Sequence, residues 1–449
     1  MATSSGTPSS SKWPAGVLAV TLPLLFLHVD YQPAVSFGGV EVEFSDLAVL
    51  VVVAVALGAR RAWSRLAPGR IAYALAGALL TWIGVTVVLA TLSDRVYDAS
   101  AHVVSAAGFA EYALLALALP LLVLWRAHVV LLCWVLTLIG ALAAFVALLQ
   151  FAGVDVFDAA AAGRRQASFV GFHDLAALTG AVLALGVAGI ALGRLPRRLV
   201  LVACAAGAVG LALSASVAGG AGLLAATTLI VIVAARRHDL SARRLGAIAA
   251  VVGATLVTIV GVRGGDLSQF ARFAGLLPEE RTTVEDVQTY SHRTLLAYLG
   301  VEVFREHPLA GAGWQASDEF ATLEAHLPAA RREFPDLAEQ AFPTAAQPYG
   351  VQNAWVQSLA DLGTVGFLLF AATLLVPVAL GARTALRAAD PLAALAGAAI
   401  LLVAAGVWAA QGLIATTPLE ALTFLAVGLV VVGLNENASV RMGNRERTR

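Results

Sequence analysis

The chain has 449 residues, of which 59% are hydrophobic and 13% charged, and its formal net charge is zero. A soluble globular domain carries about 25% charged residues, so these proportions exclude one. With a mean hydropathy of +0.83 the chain is expected to be an integral membrane protein, with membrane lipids around it and no nucleic-acid partner.

Residues 1–13 form a polar tail rich in Ser and Thr. The apolar run behind it lacks an A-x-A cleavage site, so it reads as a retained first helix and not as a signal peptide. Crossing roughly 30 Å of hydrocarbon takes about 20 helical residues, and a helix satisfies its own backbone polar groups in lipid. Twelve segments are candidates, the first two of them short, at about 14–29, 44–59, 71–92, 103–125, 128–152, 171–193, 198–216, 218–235, 245–263, 352–382, 391–412 and 414–434. The predicted fold is an all-α integral membrane protein of about twelve transmembrane helices. Cys133 and Cys204 fall inside apolar segments and read as small core residues.

Arginine sets the direction of the chain, since 28 of its 29 basic residues are Arg and the other is Lys12. With a cytoplasmic N-terminus, the inner segments hold 19 basic residues and the short outer ones hold only Arg95, Arg164 and Arg165. The other seven lie in or beside one long loop, which is exempt from the positive-inside rule. Both termini are therefore expected in the cytoplasm and the loop outside the cell membrane. The expected organisation is a cytoplasmic tail at 1–13, helices one to nine within 14–263, an extracytoplasmic loop subdomain at 264–351, helices ten to twelve within 352–434, and a basic cytoplasmic tail at 435–449.

So long a loop in a chain otherwise suited to lipid points to function. From Ser291 to Glu306, Leu295, Leu296, Leu299 and Val303 recur at helical spacing. His307-Pro308-Leu309-Ala310-Gly311-Ala312-Gly313-Trp314 then demands a turn. Ser317-Asp318-Glu319 reads as a helix start with acids at its positive end, and a further short helix is expected near Pro328. These helices are expected to fold over the outer mouth of the bundle.

The order Arg293, a helix, His307 to Gly313 as H-P-L-x-G-x-G, then Gln352-Asn353, nine residues and Gly363-Thr364-Val365-Gly366 resembles the O-antigen ligase and Wzy-type polysaccharide polymerase superfamily. A second resemblance lies in Arg165-Gln166-Ala167-Ser168-Phe169 followed by His173-Asp174. Two positions depart from the pattern. Gln352 stands where His is usual and cannot act as a general base, and Val217, after Ser216, stands where an Arg often begins span eight. The resemblance implies a GT-C-like ligase or polymerase architecture and a glycosyltransferase needing neither nucleotide sugar, obligatory metal nor other cofactor. Such an enzyme moves a glycan from a polyprenyl-diphosphate carrier to a lipid or glycan acceptor on the extracytoplasmic face, in making cell-surface polysaccharide. The functional residues it carries over are Arg293 and the region of Gln352 and Asn353.

The residues themselves fit that chemistry. A departing lipid diphosphate needs fixed cations, and Arg binds phosphate bidentately. Candidates are Arg293, Arg164 and Arg165, with Arg263 and Arg272 as second choices; each could equally pair with a loop acid or a lipid headgroup. A base near the operating pH would assist the acceptor hydroxyl, with His292, His307 and His326 as candidates and Glu285 and Asp286 as the nearest acids. Glu111, Asp174, Asp361 and Glu420 sit in apolar spans, where a charge costs at least about 2.5 kcal/mol. Each is thus a site candidate or a hydrogen-bonded link, and Asp361 in particular is expected to tie helix ten to the loop. Trp314 and Trp355 are expected as anchors at the outer interface or as platforms for a sugar. Gly363 and Gly366 form a small pair that lets helix ten pack closely. No Walker A, G-x-G-x-x-G or H-E-x-x-H motif is present. Two other classes stay open: a multi-span transporter, opposed by the lack of matching broken helices in two halves, and a non-catalytic partner in polysaccharide assembly, which Gln352 would suit.

Overall fold

The computed structural model describes residues 13–37, 40–93, 96–157, 159–161, 163–273, 276 and 290–447. Lys12, Arg95, Glu285 and Asp286, singled out above, lie outside these residues. Among the described residues nine helices are long and apolar enough to cross a membrane, and three shorter apolar helices stand at Ala15–Phe26, Phe44–Gly58 and Leu392–Val407.

In chain order the helices before the loop are α1 (Trp13–Thr21, continued by a 3-10 turn to Phe26), α2 (Phe44–Gly58), α3 (Arg70–Thr91), α4 (Ala99–Leu122), α5 (Arg126–Phe151), α6 (Phe172–Leu192), α7 (Arg197–Ser214), α8 (Val217–Arg236) and α9 (Ala242–Val262). The loop holds α10 (Gly264–Phe273), α11 (Tyr290–Glu306), α12 (Phe320–Leu323) and α13 (Leu327–Glu333), and α14 (Ala354–Ala385), α15 (Leu392–Val407) and α16 (Pro418–Arg447) complete the bundle. Serines open two of the helices by accepting orphan backbone N–H groups: Ser216 takes that of Gly219 (3.1 Å) and Ser241 that of Arg244 (3.3 Å). The core lies along α6, buried from Asp174 to almost its end, and along α15 and the first half of α16. At Gly222 and Gly406 the backbones of α8 and α15 come so close that a Cβ on either would strike the other chain at 2.7–2.8 Å. Close packing of this kind holds helices together where lipid offers no hydrophobic drive.

Three stretches depart from the expected assignment, and one of them, a hairpin, from the all-α pattern itself. Val40-Glu41-Val42-Glu43 alternates as a strand does, and it pairs antiparallel with Ala34–Phe37 as a two-stranded hairpin before α2. Gly264–Phe273, expected as loop, is helical because Leu267, Phe270 and Ala271 recur at helical spacing. The stretch expected as a basic tail continues α16 as far as Arg447.

The loop docks on a break in α14. Gly363 interrupts that helix with φ 65° and ψ −169°, a backbone region essentially restricted to glycine. A broken helix strands carbonyls, and in lipid each needs another donor. Ala360 O accepts from Ala312 N (2.8 Å), Asp361 O from Gly313 N (3.0 Å), and Leu362 O from the Trp82 indole (2.9 Å). In the other direction Thr364 N donates to Pro308 O at 2.9 Å. The turn around His307–Gly313 is therefore locked to the kink by main-chain bonds. Gly363 acts through its backbone and not as half of a helix-packing pair; Gly366 alone faces another helix, with Trp82 at 3.0 Å from an added Cβ.

Candidate functional site

A cavity of about 580 Å³ opens at the bundle end that carries the loop. Its wall is assembled from four stretches distant in sequence: 28–31, 165–174, 348–352 and 410–414, with Arg293 and Asp318 added from the loop. The stretch from 165 is held rigidly from below. Gln166 N donates to Leu213 O (3.0 Å), Ser168 N to Gln150 Oε1 (2.8 Å), and Ser168 Oγ to Ala143 O (2.8 Å). These bonds let a polar, irregular segment lie within helices and present Arg165, Gly171 and His173 on its open side.

Three guanidinium groups meet here. Arg293, on the first turn of α11, donates to Ala410 O (2.8 Å) and its other terminal nitrogen lies 3.1 Å from His173 Nε2. Arg165 lies over the Phe172 ring at 4.5 Å. Arg263, at the end of α9, pairs with Asp266 (3.0 Å) and covers Tyr290 at 5.0 Å. Arg165, Arg263 and Arg293 also line a smaller adjoining recess of about 30 Å³, which Ser214, Ser216 and Val217 complete. Among the described residues neither Arg165 nor Arg293 has a carboxylate within ion-pair distance. Burial, then the Arg165 charge, pushes Arg293 down to about 10, and burial with the nearby Arg263 also lowers Arg165. Both remain cations at neutral pH. Two half-buried positive charges with no carboxylate at ion-pair distance among the described residues make a site that favours an anion, and guanidinium forks match phosphate oxygens.

Of the other residues singled out from sequence, Gln352 lines the cavity. Its neighbour Asn353 caps α14, its side-chain oxygen accepting from Trp355 N (3.0 Å) and Val356 N (3.2 Å). His292 faces the interior of the loop: it is fully buried, edge-on to Tyr349 at 4.8 Å, and burial, partly opposed by a bond to the Ala341 backbone, pushes it down to about 4. His307 lies at the turn, 4.0 Å from Glu306, and the imidazole of His326 is 3.6 Å from the same carboxylate. Arg164 is exposed, and Arg164 and Arg272 lie outside both cavity walls.

Trp314 requires a correction. Expected at the interface or against a sugar, it is fully buried between Phe109 (5.4 Å) and Ser105, whose hydroxyl accepts its indole N–H at 3.2 Å. The turn that docks on α14 carries the ring inward. Asp361, a candidate for substrate as well as for a link, is fully buried outside both cavity walls, and its Oδ1 accepts from Ser317 N at 2.8 Å, tying α14 to the loop. Glu420 is likewise buried and accepts from Thr416 N at 2.8 Å, bracing the start of α16.

Sequence reasoning passed over several wall residues. His28, Asp30 and Tyr31 lie just beyond the first helix, which ends at Phe26, short of the expected 29. His173 and Asp174 were visible as a polar pair at the head of span six, without a role. Asp318, read only as part of a helix start, is half-buried in the wall, accepts from Gln357 Nε2 (3.3 Å) and the Val351 N–H, and desolvation pushes its carboxyl up to about 7. No local signal marks these residues as neighbours of Arg293; only tertiary contact does.

Residues 200–371 match the family model described as O-antigen ligase. A search of curated proteins finds no match. The matched stretch runs from α7 through the loop to the kink in α14, and includes Arg263, Arg293, Gln352 and Asp361, while Arg165 and His173 precede it. With its many apolar helices the chain is a multi-pass membrane protein, and the O-antigen ligase domain at residues 200–371 supports its likeness to the O-antigen ligase and Wzy-type superfamily.

Proposed function

We propose that this protein is a glycosyltransferase that moves a glycan from a polyprenyl-diphosphate carrier to a glycan or lipid acceptor on the extracytoplasmic face of the cell membrane. The observation that carries the reading is the convergence of Arg165 and Arg293 on the cavity beneath the loop, with Arg263 beside them in the adjoining recess. The carrier's diphosphate would lie against these groups, Arg165 and Arg293 taking its charge as the sugar–phosphate bond breaks. Such fixed cations serve best where charge develops, in a site partly closed to water. The glycan would occupy the wider part of the cavity, near Gln352 and Tyr349. The residues proposed to act on substrate are thus Arg293, Arg165 and Arg263, with Gln352 beside them; Asn353, His307 and Trp314 serve the frame.

Deleting the gene tests the reading directly. Cells without the chain are expected to accumulate lipid-diphosphate-linked glycan and to lose its transfer to the acceptor, as measured on extracted lipids and on a gel of surface polysaccharide. Unchanged carrier and polysaccharide would reject the assignment. The membrane face is tested by a cysteine at Ala325, exposed on the loop; Ser317, fully buried, would stay silent in either orientation. A membrane-impermeant maleimide is expected to label Ala325→Cys in intact spheroplasts. Labelling only after permeabilisation would reverse the topology.

A further inference from the structure

Transfer to an acceptor hydroxyl releases a proton, and a group within reach has to accept it. Gln352 cannot, because a side-chain amide has no basic site at physiological pH. Among the described residues of the cavity wall, the imidazoles and carboxylates are His28, Asp30, His173, Asp174 and Asp318. Three of these are already engaged. His173 turns Nε2 toward the Arg293 guanidinium at 3.1 Å. Asp174 Oδ1 accepts from Leu419 N at 2.8 Å and fixes the start of α6 against that of α16. Asp318 holds the Val351 N–H and Gln357, closing the loop onto α14.

We infer that His28 is the general base for the acceptor hydroxyl and that Asp30 is its positioning residue. The inference rests on the glycosyltransferase reading above. His28 Nδ1 lies 3.2 Å from Asp30 Oδ2. Nδ1 is also the acceptor for the Asp30 backbone N–H, at a longer 3.4 Å; with its proton turned instead to the nearer, charged carboxylate, Nε2 is the acceptor, the relation of base and orienting acid found in many nucleophilic sites. The ring is held from three sides. Its own backbone N–H donates to Phe169 O (3.0 Å), Tyr31 packs at 5.9 Å between ring centroids, and Gly171 lies against it, where an added Cβ would fall 2.9 Å from Cδ2. The side chain is 33% exposed, so a hydroxyl can reach it. Phe169 and Gly171 belong to the same pinned segment as Arg165. The proposed base and the proposed diphosphate site are therefore positioned by one piece of backbone.

In the step, the acceptor oxygen forms a bond to the anomeric carbon of the donor sugar. The bond from that carbon to the diphosphate oxygen breaks, and its electron pair leaves with the polyprenyl diphosphate at Arg165 and Arg293. The hydroxyl proton passes to His28 Nε2, and the resulting imidazolium is balanced by Asp30.

The test uses full-length variants in a strain deleted for the chain, with initial transfer rates measured in isolated membranes that supply their own donor and acceptor. Farnesyl diphosphate binding to each purified protein reports the diphosphate site separately. His28→Gln and His28→Ala are expected to lower the rate by about 100-fold or more, with farnesyl diphosphate affinity kept within about twofold. Asp30→Ala should lower kcat by about tenfold with donor KM unchanged, and Asp30→Glu should restore most of it. A His28→Gln rate within about threefold of wild type, beside an inactive Arg293→Ala, overturns the base assignment and leaves the enzyme reading intact. Loss of farnesyl diphosphate binding in His28→Gln also overturns it, because the residue would then be holding the site together. Wild-type membranes that transfer no glycan would remove both readings at once.

Discussion

Arg293→Ala is expected to abolish glycan transfer, by about 100- to 1000-fold for a lost donor at a developing charge, while the protein remains folded and in the membrane. The physical signature is a separation of activity from stability. Arg293 is half-buried with Arg165 as a like-charged neighbour, and its desolvation already disfavours its charge. Removing it relieves that repulsion, so the thermal midpoint of the purified variant should stay level or rise, as is common where an active site stores unfavourable charge. Arg293→Lys keeps the charge but loses the fork that reaches both Ala410 O and the cavity, and should recover little activity. Transfer retained in Arg293→Ala, measured at matched protein level, would remove its assigned role.

Gly363→Ala is expected to act on folding instead. At φ 65° and ψ −169° an alanine is strained whatever the space, and there is none: its Cβ would stand 2.3 Å from Leu309 O. The helix could relieve this only by straightening, which would sever the bonds from Ala312, Gly313 and Thr364 that hold the loop. A loss of more than about 3 kcal/mol follows from strain and broken buried bonds together, seen as low membrane abundance and early thermal unfolding. Gly311→Ala, whose Cβ would meet the Asp361 carbonyl carbon at 2.2 Å from the other side of the same joint, should behave alike. Normal abundance of both variants would show that the turn and the kink do not depend on each other.

These two outcomes divide the glycines and the arginine of one sequence motif into different tasks. Read along the chain, H-P-L-x-G-x-G and G-x-x-G look like a single signature for a reaction. In space His307 sits at a turn beside Glu306, Gly311 and Gly363 interlock two backbones, and Asn353 caps a helix. Only Arg293 and Gln352 of that set reach the cavity. The rest of the motif is the joint that holds the loop over the bundle.

Hydrophobicity and helical periodicity are local, so the sequence alone determined which stretches are apolar helices, where the loop lies, and that its helix at Ser291–Glu306 ends in a Pro–Gly turn. It also marked Arg293, Arg164 and Arg165, with Arg263 and Arg272 as second choices, as cations able to hold a diphosphate, of which Arg164 and Arg272 lie outside the cavity walls. Tertiary structure alone decided that Arg165, Arg263 and Arg293 meet and that Trp314 turns inward while His28 and Asp30 enter the wall. Those outcomes depend on contacts between residues far apart in sequence, more than a hundred positions for Arg293 with His173 and Leu362 with Trp82. No pattern within a single helix carries such contacts, since each is fixed only when the helices pack and every stranded carbonyl has found a donor.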